Sequence, residues 1–270
     1  MPHVISCVNL KGGVGKTAIA VNFAAYCGKE GHRTLLVDLD PQTNATFSCI
    51  SPEKWATHRQ TNGTVADLFG LRNAEHAEGN NKTAEDVIIK EVFDGVDLVP
   101  SDLNLFTIDL DIGGRHAREK LLKKALKEVA ENYDVIVCDC PPNLTLPTQN
   151  ALAISTHFVV PVSPDFLSSL GIALLLRRVK KFGEDMELEI KNAGIVLSRM
   201  GRESTFRNQT TTDLRRQFRA HMFRTEIKER SAVTEATAKN KTIYEMHDAS
   251  ANREFSAFSV ELLKKLGIVT

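Results

Sequence analysis

The chain has 270 residues, 42% of them hydrophobic, and its 34 Lys and Arg balance 34 Asp and Glu. That length fits one large α/β domain or two small ones, and zero net charge leaves any nucleic-acid contact to local asymmetry. No apolar run approaches the roughly 20 residues of a membrane-spanning helix, and no basic-then-apolar leader opens the chain, so a cytoplasmic protein is expected.

The first predicted strand is Val4-Ile5-Ser6-Cys7-Val8. It runs into Lys11-Gly12-Gly13-Val14-Gly15-Lys16-Thr17, and Ile19, Phe23, Ala24 and Cys27 then recur at helical spacing. Strand, glycine loop and helix are the context of a phosphate-binding loop. Its glycines let backbone N–H groups turn inward, and the helix N-terminus adds free N–H groups and a positive dipole end. Lys16 would lie along the β- and γ-phosphates of a nucleotide, and Thr17 would offer its hydroxyl to Mg²⁺.

Gly31 stops that helix, and Thr34-Leu35-Leu36-Val37 reads as a second buried strand ending in Asp38 and Asp40. Those carboxylates fall at the strand end where open α/β sheets bind ligands, with a strand-end cap as the bland alternative. Residues 52–92 are the least regular. Thr64 to Phe69 opens a short helix with Thr64 as its cap, and Asn73 to Asp86 is a polar surface excursion. Val96-Asp97-Leu98-Val99-Pro100-Ser101 is the candidate for a third strand, ending in a proline and a small polar residue. From Arg118 the spacing of Leu121, Leu122, Ala125, Leu126 and Val129 predicts a helix. Its lysines 120, 123, 124 and 127 read as a solvated face, with a nucleic-acid patch as the alternative.

Tyr133 to Asp139 is an apolar strand ending in an aspartate, the Walker B arrangement, so Asp139 would hold Mg²⁺ through a bound water opposite Thr17. Strand alternation puts Cys138 and Cys140 on the face opposite Asp139. All five cysteines (7, 27, 49, 138 and 140) read as buried reduced thiols, and the eight histidines show no ligand spacing. A helix over Leu146–Ile154, a strand over His157–Val162, a helix from Ser168 ending in the basic Arg177–Lys181 and a strand over Ala193–Leu197 follow. Strands alternating with helices imply a mostly parallel twisted sheet covered on both faces: a single α/β domain spanning residues 1–270.

Residues 199–241 hold eleven Lys or Arg against five acidic residues, a net charge of +6 in a neutral chain. Such a local basic surface suits phosphate contacts, although a solvated helix face at Arg215, Arg216 and Arg219 is the alternative. The C-terminal Leu262 to Val269 reads as a domain-closing helix, with a membrane-surface helix as the alternative.

Three phrases sharpen this reading. The glycine loop has Leu10 where the usual G-x-x-x-x-G-K-[ST] pattern has glycine, and carries the extra Lys11. Val37-Asp38-Leu39-Asp40-Pro41-Gln42 is followed by Asn44-Ala45-Thr46, and Asp139 is followed by Cys140-Pro141-Pro142. Over nearly its whole length the chain resembles the ParA-type (Soj-like) partition ATPases of the deviant Walker A ParA/MinD superfamily, with a P-loop NTPase fold. The resemblance implies ATP and Mg²⁺ as cofactors, with ATP held by Lys11, Gly12, Gly13, Val14, Gly15, Lys16, Thr17 and Ala18. Lys11, Lys16 and Asp40 would be catalytic, Asp40 orienting the attacking water, and Thr17 and Asp139 would hold the metal. It implies a homodimer closed over ATP, each Lys11 reaching the partner's phosphates. It also implies non-specific binding of double-stranded DNA in the ATP state, with Arg199, Arg202, Arg207, Arg230 and Lys241 as candidate contacts. A ParB-type adaptor would stimulate hydrolysis, and the cargo would be a chromosome, plasmid or other cellular body, with nucleoid association and no stable membrane association. The chain begins at the first strand, so no N-terminal helix-turn-helix domain is expected. Relatives carry asparagine where Ser198 stands and proline where Lys228 stands, positions bordering the adenine, so base contacts are not assigned. A MinD-like membrane-cycling ATPase and a metabolic ATP-dependent enzyme remain the alternatives.

Overall fold

Eight strands make up one sheet in the computed structural model: β1 (His3–Cys7), β2 (Thr34–Asp38), β3 (Ile89–Phe93), β4 (Val96–Val99), β5 (Val135–Asp139), β6 (His157–Val162), β7 (Lys191–Met200) and β8 (Met222–Lys228). Their order is β3-β4-β2-β5-β1-β6-β7-β8. Every neighbouring pair is parallel except β3–β4, an antiparallel hairpin at one edge. The structure describes residues 1–71, 82–165, 168–201 and 204–268, so most of the polar excursion predicted over 73–86 lies outside them.

Among the described residues twelve α-helices cover the sheet. The first six are α1 (Lys16–Lys29), α2 (Asn44–Cys49), α3 (Pro52–Thr61), α4 (Val65–Leu68), α5 (Ala84–Val87) and α6 (Ile108–Asp111). The rest are α7 (Leu121–Ala125), α8 (Leu146–Ile154), α9 (Ser168–Met186), α10 (Thr205–Gln217), α11 (Ser231–Ala238) and α12 (Ala249–Leu266). The central strands β2 and β5 are buried at every residue because helices press on both sides. Alternation sorts β5 between the two layers. Ile136 and Cys138 pack with the apolar residues of α7, α8 and α9, while Val135 and Val137 pack with those of α1 and α12. Cys140 joins the first layer, as the alternation predicts. All five cysteines are buried free thiols, and burial pushes each of them up from the ordinary thiol range.

α12 closes the domain. Phe255, Phe258, Leu262, Leu263 and Leu266 are buried, Phe258 packs on Phe223 of β8 with ring centroids 5.0 Å apart, and Gly267 ends the helix in the left-handed region. Its apolar face is therefore occupied by the core, and no helix among the described residues is long and apolar enough to cross a membrane.

Several short helices, α3 among them, were not anticipated, and three further elements differ from the sequence expectation. β3 was not anticipated, because its burial does not alternate and Glu91 sits at φ 51°, breaking the ladder against β4. The helix expected from Arg118 divides into a 3₁₀ turn (Arg118–Lys120), α7 and a second 3₁₀ turn (Ala130–Asn132). Leu122, Leu126 and Val129 are buried all the same, and the four lysines are exposed. α9 runs on to Met186, which places Arg177–Lys181 mid-helix. The dipole at a helix end does not account for them there, and an exposed Lys180–Glu184 pair at 3.7 Å marks a solvated face.

Candidate nucleotide-binding site

Parallel register brings the acidic strand ends together. Asp38 of β2 and Cys7 of β1 both stand level with Asp139 of β5, between them. The glycine loop leaves β1 at the middle of the sheet, so its cradle opens beside two carboxylates at the C-terminal edge. Asn9 anchors the loop entrance. Its Nδ2 donates to the Pro161 carbonyl at 2.6 Å and its Oδ1 accepts from the Lys11 N–H at 2.9 Å.

Within the loop Gly13 (φ 72°) and Gly15 (φ 86°) adopt the left-handed conformation that a side chain would strain. Gly15 is also the N-cap of α1. No side chain caps that end and no acidic residue occupies the first turn, so its N–H groups and dipole are free to meet an anion. Lys16 is 6% exposed, and its Nζ donates to the Lys11 carbonyl at 3.2 Å. Thr17, Ala18, Asp40, Gln42, Asn44 and Pro142 line the same cavity of about 490 Å³. That volume suits a nucleotide-sized ligand.

Asp38 is a clasp. Its Oδ2 accepts from the Thr46 N–H (2.8 Å) and hydroxyl (2.7 Å), and its Oδ1 from the Asp40 N–H (3.1 Å). Ser101 completes the knot, its N–H donating to Thr46 Oγ1 (2.9 Å) and its hydroxyl to the Asp40 carbonyl (2.7 Å). Asp40 is thereby fixed by its backbone, while its Oδ1 accepts from the Gln42 N–H at 2.9 Å. Asp139 differs: both carboxylate oxygens are buried without a hydrogen-bond partner. Burial raises it well above the usual carboxylate range and Asp38 raises it further, while the nearby Thr17 hydroxyl and Lys16 favour the anion. A buried acceptor with no donor, beside a hydroxyl and an ammonium, fits a hard cation such as Mg²⁺ with its water shell.

The pair has a consequence for stability. Burial pushes Asp38 up to about 7, against the three hydrogen bonds that favour its anion. Between about pH 4 and pH 7 the folded chain therefore keeps a proton that the unfolded carboxylate releases, and stability falls as pH rises through that window. Thermal unfolding in EDTA should show the midpoint dropping across this range, and Asp38→Asn, which has no proton to release, should flatten the slope. A midpoint that rises from pH 4 to pH 7 equally in both proteins would contradict it.

Of the residues named from sequence, Gly12, Gly13, Gly15, Lys16, Thr17, Ala18 and Asp40 line this cavity, while Val14 and Asp139 are buried and outside its lining. Lys11 sits at the loop mouth with its side chain 59% exposed and its ammonium paired with Asp165 of the same subunit. The basic candidates scatter. Arg199 and Arg230 line the nucleotide cavity, Arg199 paired with Glu229 and Arg230 with Glu254 at 2.6 Å. Both candidate DNA contacts thus lie beside the nucleotide cavity, Arg230 in a largely buried ion pair and Arg199 in a half-exposed one. Arg207 lies half-buried, its guanidinium and the Glu229 carboxylate both close against Gly201. Lys241 is exposed, and Arg202 lies outside the described residues. Of the far wall of the cavity, the reading from sequence flagged Ser198 and Lys228 as positions bordering the adenine and missed Ile227, Glu229, Val233, Thr234 and Thr237. For those five, the ends of β7 and β8 at the same edge of a parallel sheet as the glycine loop are the signal that points to them.

Comparison with known proteins agrees with this geometry. A family model described as an AAA domain matches residues 2–192. The sporulation initiation inhibitor protein Soj of Bacillus subtilis is 30% identical over 243 residues, 90% of each chain. Two solved structures share the fold. Cobyrinic acid a,c-diamide synthase from Mycobacterium smegmatis, with bound ATP analogue and magnesium, has a TM-score of 0.80 at 23% identity, covering 98% of this chain and 95% of its own. The McdA–ATP complex from Cyanothece has a TM-score of 0.80 at 16% identity, covering 100% and 98%. On a family match over residues 2–192 and a relative 30% identical over nine-tenths of both chains, the chain belongs to the ParA-type, Soj-like family of partition and positioning ATPases.

Proposed function

We propose that this protein is a Mg²⁺-dependent ATPase that dimerises on ATP, binds DNA non-specifically in that state and moves or positions an intracellular cargo. The observation that carries the nucleotide part is Asp139, fully buried at the end of β5 without a hydrogen-bond partner, where the Thr17 hydroxyl and Lys16 favour its anion. Thr17 and Asp139 would hold Mg²⁺, which supplies charge neutralisation at the β- and γ-phosphates. Lys16 and the N-terminus of α1 bind the phosphates, and Asp40, held by Ser101 and Asp38, orients the attacking water.

Lys11 supports the dimer. Its pairing with Asp165 is exposed, so exchanging that partner for a phosphate of a facing subunit costs at most about 1 kcal/mol. For DNA, the net charge of +6 over residues 199–241 is the support. With Arg199 and Arg230 drawn into the nucleotide cavity, the exposed basic residues left in that segment include Arg216, Arg219, Arg224 and Lys241. Unaided P-loop hydrolysis runs at roughly 10⁻⁴ to 10⁻² per second, so a ParB-type adaptor on the cargo would set its timing.

Sedimentation with plasmid DNA or with liposomes, in ATP or ADP and at two salt concentrations, tests this reading. Co-sedimentation with DNA in ATP, weakening several-fold as salt rises, is expected. Retention on liposomes alone would replace it with a membrane-cycling ATPase, and retention on neither would favour a metabolic ATP-dependent enzyme.

A further inference from the structure

The end of β7 makes two contacts that nucleotide binding does not itself require. Ser198 donates its hydroxyl to the Val14 carbonyl at 2.5 Å, and Arg199 donates Nη1 to the Gly13 carbonyl at 2.9 Å. In a trans peptide plane the C=O and the following N–H point in opposite directions. Two successive loop carbonyls are thus pinned toward β7, and the N–H groups of Val14 and Gly15, which share those planes, point away from it. In a phosphate cradle those N–H groups are the ones that must face the anion.

Arg199 is itself held. Its Nη2 and Nε both donate to Glu229 Oε1, at 2.5 and 3.2 Å, and the Glu229 N–H donates to the Met200 carbonyl at 3.1 Å. Arg199 also occupies the left-handed region at φ 49°, a conformation that a non-glycine residue keeps only where its surroundings impose it. Its side chain lies along the loop: a Cβ at Gly13 would stand 3.7 Å from Nη1, and one at Gly15 would stand 3.6 Å from Cγ.

We propose that Ser198 and Arg199 are positioning residues of the nucleotide site. Arg199 clamps the Gly13 carbonyl to Glu229, Ser198 clamps the next carbonyl, and together they preset the phosphate-facing N–H groups before nucleotide arrives. The inference rests on the nucleotide reading and goes beyond it by giving Arg199 a role in the loop in place of DNA contact.

The test compares the unaltered protein with Arg199→Ala, Arg199→Lys, Glu229→Gln and Ser198→Ala. Titration with a fluorescent Mg²⁺–ATP analogue should show Arg199→Ala weakened about tenfold, a charge-assisted hydrogen bond lost. Arg199→Lys should recover part of the loss, since an ammonium reaches one partner but cannot fork between two. Glu229→Gln and Ser198→Ala should weaken binding a few-fold. Hydrogen exchange without nucleotide should quicken over residues 12–17 in Arg199→Ala and stay unchanged in α12, which general destabilisation would not do. DNA co-sedimentation at saturating ATP should match the unaltered protein. Unchanged analogue affinity with unchanged loop exchange would overturn the proposal, as would DNA retention lost at saturating nucleotide. Failure of the unaltered protein to bind the analogue would instead overturn the nucleotide reading, while the exchange measurement still judges the clamp.

Discussion

Lys16→Ala is expected to remove measurable nucleotide binding. Lys16 is buried at the first turn of α1, its ammonium reaching back across the loop to the Lys11 carbonyl. A triphosphate entering the cavity brings several negative charges beside Asp139, itself buried and without a donor. Lys11 is no substitute, because it lies exposed at the mouth and paired with Asp165. Removing one member of a buried charged contact costs about 3–5 kcal/mol, so affinity should fall by roughly 10²–10³-fold or more. Calorimetric titration with Mg²⁺–ATP measures it. Fold should survive, because the loop is anchored separately by Asn9, Ser198 and Arg199. The variant should therefore unfold near the same temperature as its parent and fail to sediment with DNA in ATP. Affinity within threefold of the parent would exclude Lys16 from the phosphate site.

How far such a site can be read ahead of the fold depends on whether its residues are neighbours in the chain. The loop and α1 were legible because strand, glycines, lysine and helix are contiguous, and each imposes its own geometry. Asp38, Asp40 and Asp139 were legible because apolar runs that end in aspartate mark the edge of a parallel sheet. Register then does the rest, setting Asp38 level with Asp139. The far wall was legible only at Ser198 and Lys228, and there only through the resemblance. Ser198 and Glu229 stand 31 positions apart on neighbouring strands, and nothing local says that Arg199 turns back to the loop. Its left-handed backbone is a tertiary imposition. Charge counting is blind there for the same reason, since it does not see that Arg199 pairs with Glu229 and Arg230 with Glu254. β3 escaped because an edge strand with one buried end and exposed Lys90 and Glu91 lacks both the apolar run and the alternation. α3 did leave a signal: Ser51-Pro52-Glu53 is a helix start, and the Ser51 hydroxyl accepts from the Lys54 N–H at 3.3 Å.

Asp40→Ala should have the opposite phenotype to Lys16→Ala. The backbone at Asp40 is held from both sides, its N–H on Asp38, its carbonyl on the Ser101 hydroxyl and the Thr43 N–H. The segment therefore keeps its course when the carboxylate goes, losing only the bond to the Gln42 N–H. Nothing in the phosphate cradle changes, so ATP affinity should stay within a few-fold. Hydrolysis should fall by about 10²–10⁴-fold, the usual worth of a positioned carboxylate acting on water. A protein that binds ATP but does not turn it over accumulates in the ATP state, so Asp40→Ala should sediment with DNA and stay there after free ATP is removed. Asp40→Asn sharpens the comparison, because its amide oxygen still accepts from Gln42 while its basicity is lost. If orientation by that bond were sufficient, Asn would hydrolyse like the parent. If the charge is needed, Asn should behave as Ala does. Release from DNA at the parent's rate in both variants would remove Asp40 from the chemistry and leave it as the hinge of its turn. Slow release in both, with Lys16→Ala never retained, would place binding and hydrolysis on separate residues of one cavity.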